Sequence, residues 1–230
     1  MKVTVIIPAL NEEQSIGKVI RSIPMNVVSE IVVADNGSSD RTGEVAREAG
    51  ARVVQVPERG YGAACLGALA SITETDIVVF LDGDFSDYPE EIPMLLVPIE
   101  RGEADLVIGS RVLGESEPGA LQLQQRLGNA LAAFLIRLLF RIRFTDLGPF
   151  RAITWSALQR LRMADRDYGW TVEMQVKAAR AGLRCVEVPV RYRRRREGVS
   201  KVSGTLIGSL RAGYKIITTI LRHARRRSRD

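Results

Sequence analysis

The 230-residue chain is poor in the residues that most often carry catalysis: it holds one histidine, His223, two cysteines, Cys65 and Cys185, and only 6% aromatic residues. His223 sits in a basic tail, which excludes histidine-built zinc sites and Ser-His-Asp catalysis. Chemistry must therefore rest on carboxylates, a bound metal or the substrate itself. The cysteines are far apart and lack C-x-x-C spacing, so both read as small buried hydrophobes. The N-terminus lacks the apolar core of a signal peptide, and a reducing cytosol is the expected compartment. No apolar run reaches the roughly 18–20 residues that cross a bilayer. There is no internal repeat, no Gly/Ser/Pro-rich linker and no Gly-rich phosphate loop near the first apolar run.

What is present is one core's worth of apolar residues and an uneven charge. Hydrophobic residues make up 46% of the chain, enough for a single substantial domain. Residues 184–230 hold 14 Lys and Arg against 3 Asp and Glu, a net of +11, whereas residues 1–183 carry −5, consistent with +6 overall. A basic end on a slightly acidic body suits anionic lipid, a phosphate-bearing acceptor or nucleic acid, or is a solvated helix end and frayed tail. Only Tyr192 and Tyr214 interleave with those basic residues, so nucleic acid is not an expected partner. The apolar run Leu127 to Phe140 is broken by Arg137 and reads as an amphipathic helix facing the core. Leu206, Ile207, Leu210, Tyr214, Ile217, Ile220 and Leu221 recur at near-helical spacing beside Arg211, Lys215 and Arg222, which reads as a core-facing helix or as an interfacial membrane helix.

Short β-branched runs alternate with helical periodicity. Strands are predicted near 2–7, 30–34, 52–56, 77–81, 105–109, 150–154 and 184–192. Helices are predicted near 12–22, 40–49, 61–73, 90–100, 120–141, 155–161, 170–181 and 204–223. That alternation predicts an α/β domain with a mostly parallel sheet covered on both faces. The run Ile77-Val78-Val79-Phe80-Leu81 ends in Asp82-Gly83-Asp84. Carboxylates at i and i+2 after a strand point the same way, at the sheet edge where open α/β sheets bind ligands. They suit a hard divalent cation that also holds phosphate oxygens. Asp35 and Asp40 end a second apolar strand, and Asn11-Glu12 follows the first, stopped by Pro8. Taken singly, Asn11 and Asp40 are helix caps and Asp35 is a turn former; together they make three polar strand ends in one domain.

Pro8-Ala9-Leu10-Asn11-Glu12, Asp35 to Asp40, Asp82 to Glu90 and Gly109-Ser110-Arg111 resemble, in order, the motifs of family 2 glycosyltransferases with the GT-A fold. The similarity is greatest to dolichyl-phosphate and polyprenyl-phosphate sugar transferases. It continues through Arg126 and Asn129, Asp146 to Arg151, and Arg195 with Gly198-Val199-Ser200-Lys201, covering roughly residues 2–204. The resemblance implies a GT-A catalytic domain over 1–203 and an amphipathic basic helix and tail over 204–230. It implies that Pro8, Ala9, Asn11, Glu12, Asp35 and Asp82 line the nucleotide pocket. Asp82 and Asp84 would hold Mg²⁺ or Mn²⁺. Arg111, Arg126, Arg151, Arg195 and Lys201 would face a polyprenyl phosphate acceptor, with Arg111 and Lys201 the catalytic cations.

On that resemblance the expected reaction is metal-dependent, inverting transfer of a sugar from a nucleotide-diphosphate sugar. A phosphate nucleophile is ionised at neutral pH and needs no general base. A hydroxyl acceptor would need one, and Asp146 or Glu173 is then the candidate, with Trp170 a core aromatic or a sugar-stacking platform. The chain departs from the family at Asn36, where a second acid is usual, at Ser86, where glutamine often stands, and at Leu147-Gly148-Pro149-Phe150-Arg151, where T-S-G-F-R is common. A soluble phosphorylated acceptor therefore stays open, as do a nucleotidyltransferase and a non-catalytic nucleotide- or RNA-binding module. Many relatives carry transmembrane segments beyond this point, so attachment to the cytoplasmic membrane face is expected to be peripheral or through a membrane-protein partner, with homo-oligomerisation open.

Overall fold

A computed structural model of the chain describes residues 1–197 and 206–225, excepting the side chains of 206–212 and 225. The predicted Lys201 site and the Gly198–Lys201 motif lie outside the described residues. The chain runs β1 (Val3–Ala9), α1 (Ile16–Arg21), β2 (Glu30–Asp35), α2 (Thr42–Glu48), β3 (Arg52–Gln55), α3 (Tyr61–Ala70), β4 (Ile77–Phe80) and α4 (Ile92–Glu100). It continues through β5 (Leu106–Ser110), α5 (Leu123–Phe140), β6 (Arg151–Thr154), α6 (Trp155–Leu161), α7 (Trp170–Arg180), β7 (Cys185–Pro189) and α8 (Leu206–Arg225).

The strands form one seven-stranded sheet in the order β3-β2-β1-β4-β6-β5-β7. All pairings are parallel except those of β6, which runs antiparallel to β4 and β5. The strand period of two splits the apolar residues between two cores. Ile6, Val32, Val78, Phe80 and Ile108 face α3, α5, α7 and α8. Val5, Ile7, Val33, Val79 and Val107 face α1, α2 and α4 on the other side. This is the predicted α/β sheet with both faces covered.

Register decides where the functional edge lies. Ala9 pairs with Asp35, and Ile6 with Phe80, so the carboxyl ends of β1, β2 and β4 meet. Arg151 opens β6 opposite Phe80 and Ile108, which brings the 145–150 loop to the same edge. Helix α1 starts four residues later than predicted because Asn11 adopts a left-handed conformation (φ 53°) and opens a turn rather than capping a helix. Helix α8 packs against α5 and α7, burying Thr219, Ile220 and His223, so the histidine belongs to a packed helix and not to a tail. Among the described residues no helix is long and apolar enough to cross a membrane.

Loop 165–167 is seated on the first turn of α3, where Ala63 donates its backbone N–H to the Arg166 carbonyl at 2.9 Å. Gly62 makes that approach possible, since a Cβ there would stand 2.0 Å from the Asp165 carbonyl oxygen. Helix propensity alone predicts that Gly62→Ala stabilises the protein by about 1 kcal/mol. The backbone clash predicts the reverse, a loss of about 1–3 kcal/mol or more in urea unfolding. A stabilised variant would show that the loop is not packed on α3.

Candidate active site

The cleft at the carboxyl edge of the sheet encloses about 620 Å³ and brings together Pro8, Ala9, Glu12, Asp82, Asp84, Arg111 and Arg195. Strand β4 is buried along its whole length, so its apolar residues fix where the following Asp82 and Asp84 emerge. The Tyr61 hydroxyl, from the first turn of α3, donates to Asp82 Oδ1 at 3.0 Å. Burial, and then the charge of Asp84, push the Asp82 carboxyl up to about 7. Asp84 Oδ1 accepts from the Ser86 N–H at 3.0 Å, and its Oδ2 lies 3.2 Å from Arg195 Nη1. Nη2 of the same arginine lies 2.6 Å from the Glu12 carboxylate. Arg195 therefore ties the strand-end acids of β1 and β4 together.

Beneath the pair lies a fourth acid. Asp87 is 1% exposed, and neither carboxylate oxygen has a hydrogen-bond partner among the described residues. Burial and the charges of Asp82 and Asp84 raise its carboxyl far above the ordinary value. The intervening Phe85 takes a positive φ of 62°, and the Arg193 guanidinium stacks 3.7 Å from its ring centroid. Strain of this kind at a bulky residue marks a turn whose shape is imposed by its surroundings.

Asn11 and Asp35 shape the neighbouring wall. Asn11 Oδ1 accepts from the Ser39 N–H at 2.8 Å, and its own N–H donates to the Ser38 hydroxyl at 3.0 Å. Burial alone would raise the Asp35 carboxyl, but donation from Ser38 and Gln55, with the charge of Arg47, holds it below its usual range. Asp40 accepts from the Thr42 and Glu13 N–H groups and so links two turns. Asn36 donates to the Val56 and Glu58 carbonyls and accepts from the Gly60 N–H at 2.8 Å. A carboxylate there could not make the two donations.

Several predicted roles are corrected by burial and pairing. Arg151 is fully buried, and its guanidinium donates to the carbonyls of Leu147, Gly148 and Thr171, so it shapes the loop and does not face an acceptor. Asp146 is no general base: Arg111 Nε and Nη2 each lie 2.8 Å from its carboxylate, and the Arg111 N–H donates to it as well. Burial would raise Asp146, but the charge of Arg111 holds it below the usual carboxylate range. Glu173 is also spent, accepting from the Ala164 and Asp165 N–H groups and pairing with Lys177 at 2.8 Å. Trp170 is a core aromatic, packed edge-on to Phe80 at 5.9 Å. Asn129 holds the loop through the Thr145 carbonyl and the Leu147 N–H.

Arg126 opens instead onto a second cavity, of about 590 Å³, whose wall includes Leu121, Ala130, Leu147 and Ile216. Arg111, Gln125, Leu147, Thr171 and Ile216 line both cavities, so the two spaces adjoin. Arg59, Tyr61 and Tyr192 also line the cleft, and sequence reasoning missed them. The glycines flanking Tyr61 were the available signal, since they mark a close backbone approach at a helix start.

The acids fit a divalent cation that shares its ligands with substrate. Among the described residues no three Asp, Glu, His or Cys side chains gather into a cage. Asp82 and Asp84 would supply two oxygens and a diphosphate others, the donor set that Mg²⁺ or Mn²⁺ takes. The raised Asp82 has a consequence for stability. Its folded value of about 7 exceeds the ordinary 3.8, so its contribution is full below about pH 4 and is lost as pH rises through 7. At pH 8 in chelator, Asp82→Asn should therefore melt about 2–4 °C above the parent, and added Mn²⁺ should stabilise the parent alone. Calorimetry with and without Mn²⁺ reads both effects. A variant that melts lower at pH 8, or gains equally from Mn²⁺, would refute this electrostatic account.

The glycosyl transferase family 2 model matches residues 4–169. An uncharacterized glycosyltransferase of Mycobacterium tuberculosis is 39% identical over 210 residues, covering 90% of this chain and 93% of its own. An undecaprenyl-phosphate mannosyltransferase of Micrococcus luteus is 32% identical over 224 residues, covering 90% of each. Among solved structures, glucosyl-3-phosphoglycerate synthase of Mycobacterium tuberculosis, in complex with Mn²⁺, UDP-glucose and phosphoglyceric acid, superposes with a TM-score of 0.79. It is 30% identical, with 97% of this chain and 79% of that one covered. Sheet order, the strand-end acids and these likenesses agree: the chain belongs to glycosyl transferase family 2.

Proposed function

We propose that this enzyme moves a sugar from a nucleotide-diphosphate sugar to a polyprenyl phosphate, with Mg²⁺ or Mn²⁺ and with inversion at the anomeric carbon. The observation that carries the reading is the adjoining pair of cavities. One holds the acidic pair; the other sets Arg111 and Arg126 beside apolar Leu121, Leu147 and Ile216 and polar Gln124, Gln125 and Asn129. A lipid phosphate needs that combination, fixed charge for the head and apolar surface for the first isoprene units. The Micrococcus luteus mannosyltransferase supports the same acceptor. The phosphoglyceric acid complexes support a second reading, a soluble phosphorylated acceptor, which would use the cations and leave the apolar residues idle.

In this proposal Asp82 and Asp84 hold the cation, which when bound supplies Lewis-acid stabilisation of the departing diphosphate. Pro8, Ala9, Asn11, Glu12 and Asp35 form the nucleotide pocket. Arg195, expected on the acceptor side but shared here between Glu12 and Asp84, is assigned to the diphosphate oxygens instead. Arg111, kept charged by Asp146, and Arg126, with Lys201, orient the acceptor phosphate. A phosphate oxygen attacks the anomeric carbon, the bond from that carbon to the diphosphate oxygen breaks, and the nucleoside diphosphate leaves. No proton has to be removed, which agrees with Asp146 and Glu173 both being committed elsewhere. Residues 1–203 carry this chemistry; 204–230 are proposed as the basic segment that favours the cytoplasmic membrane face.

Arg111→Ala would strand the buried Asp146, a cost of about 3–5 kcal/mol in stability. Asp146→Asn is for the same reason not the mild change that a spectator acid would give. Asp84→Ala, Arg126→Ala and Lys201→Ala are the cleaner probes. Asp84→Ala should abolish transfer. The other two should each lower kcat/KM by roughly 10- to 150-fold, the loss of one charge-assisted contact. The deciding assay supplies undecaprenyl phosphate, undecaprenol or 3-phosphoglycerate with Mn²⁺ and nucleotide sugar. Transfer to undecaprenyl phosphate alone is expected. Equal transfer to 3-phosphoglycerate would establish the soluble-acceptor reading, and transfer to undecaprenol would defeat the phosphate-nucleophile mechanism.

A further inference from the structure

Helix α5 lines the second cavity with one face and leaves another uncovered. Leu123, Leu127, Leu131, Phe134 and Leu138 are 71%, 63%, 47%, 59% and 64% exposed. At 100° per residue they fall within an arc of roughly 80°, a continuous stripe along a helix of about 27 Å. Five large apolar side chains aligned this way exceed the scattered exposure normal for a surface. The same helix buries Ala132, Ile136 and Phe140 on its opposite side, so the stripe is not core that has slipped outward. Exposed Arg126 and Arg137 lie along one margin of the stripe, and exposed Arg141 and Arg143 follow its C-terminal end. No Asp or Glu occurs between Glu117 and Asp146.

We propose that the outer face of α5 is a docking surface for an anionic lipid bilayer, lying in the plane of the interface. The stripe would insert among the acyl chains while the arginines meet lipid phosphates. Charge decides between this occupant and a second copy. Two α5 faces packed together would bring Arg126 and Arg137 of each copy toward the other's, with no acid on the helix to pair them. The surface stands on exposure and charge; only its purpose, presenting the second cavity to a lipid acceptor at the membrane, rests on the polyprenyl phosphate reading. It differs from the expectation that the C-terminal segment alone holds the membrane, because the bulk of the apolar contact is moved to α5.

The test is flotation of the full chain at physiological salt with vesicles of phosphatidylcholine containing about one third phosphatidylglycerol, and with phosphatidylcholine alone. The parent should float with the anionic vesicles. Leu127→Ser with Phe134→Ser should weaken binding at least about 10-fold, the loss of two inserted side chains, with the melting temperature unchanged. Phe134→Trp should shift its emission to the blue when anionic vesicles are added. Undiminished flotation of the double variant, or no shift for Phe134→Trp, would overturn the proposal. So would a dimer that the double variant converts to monomer in a parent that ignores vesicles. Binding is read without donor or acceptor, so transfer confined to phosphoglycerate would defeat the acceptor reading and leave a positive flotation result as support for the surface.

Discussion

Glu12, Asp82, Asp84 and Asp87 bring four carboxyl groups to one edge of the sheet, where three strands end. Crowded like charge is costly to bury, and the architecture around it is a set of responses to that cost. Arg195 takes two of the acids, Tyr61 donates to a third, and burial raises the carboxyl of the fourth. The residual strain on Asp82 is of the kind that a divalent cation relieves. Such a site trades stability for function in the protein without its ligand, as functional sites commonly do.

The rest of the site depends on keeping fixed cations near those acids without letting them collapse onto them. Arg111 achieves this through Asp146, which holds the guanidinium at two points and so prevents it from swinging to the acidic pair. Glu187 and Gln175 in turn hold the backbone of residues 145 and 146, and Arg151 gathers the carbonyls of the loop that follows. A layer of buried polar groups thus supports a small number of exposed charges. In the proposed mechanism that layer separates acceptor orientation from leaving-group stabilisation, and it commits Asp146 to Arg111.

The strands were legible because each is a short β-branched run, and their two-residue period assigned them to two cores. The reversal of β6 was not legible, because strand direction depends on the path of the 145–150 loop and on β5 lying beside it. Asp82, Asp84 and Glu12 were found from motif order and converge in one cleft, where they meet Arg195, expected on the acceptor side. Arg151 was expected to face an acceptor and is consumed by loop carbonyls, because residue type says nothing of whether a charge faces solvent or its neighbours; Asp146 and Glu173, the bases only a hydroxyl acceptor would need, are likewise paired. Asn11 misled in the same way, since a capping residue type and a left-handed turn share one sequence signal. Asp87 and the apolar stripe of α5 were hidden for opposite reasons. One looked like a loop acid and is buried, while the other looked like core and is exposed.

The proposed metal site is half protein, from Asp82 and Asp84, and half nucleotide diphosphate. Mn²⁺ binding followed by electron paramagnetic resonance, with and without UDP, tests that division directly. Two protein carboxylates alone should hold the ion weakly, and UDP should tighten it at least about 10-fold, with Mn²⁺ tightening UDP by the same factor. Asp84→Ala should lose the coupling in both directions. Tight Mn²⁺ binding without UDP, or UDP binding of equal strength in chelator, would contradict the shared site and with it the role assigned to the acidic pair.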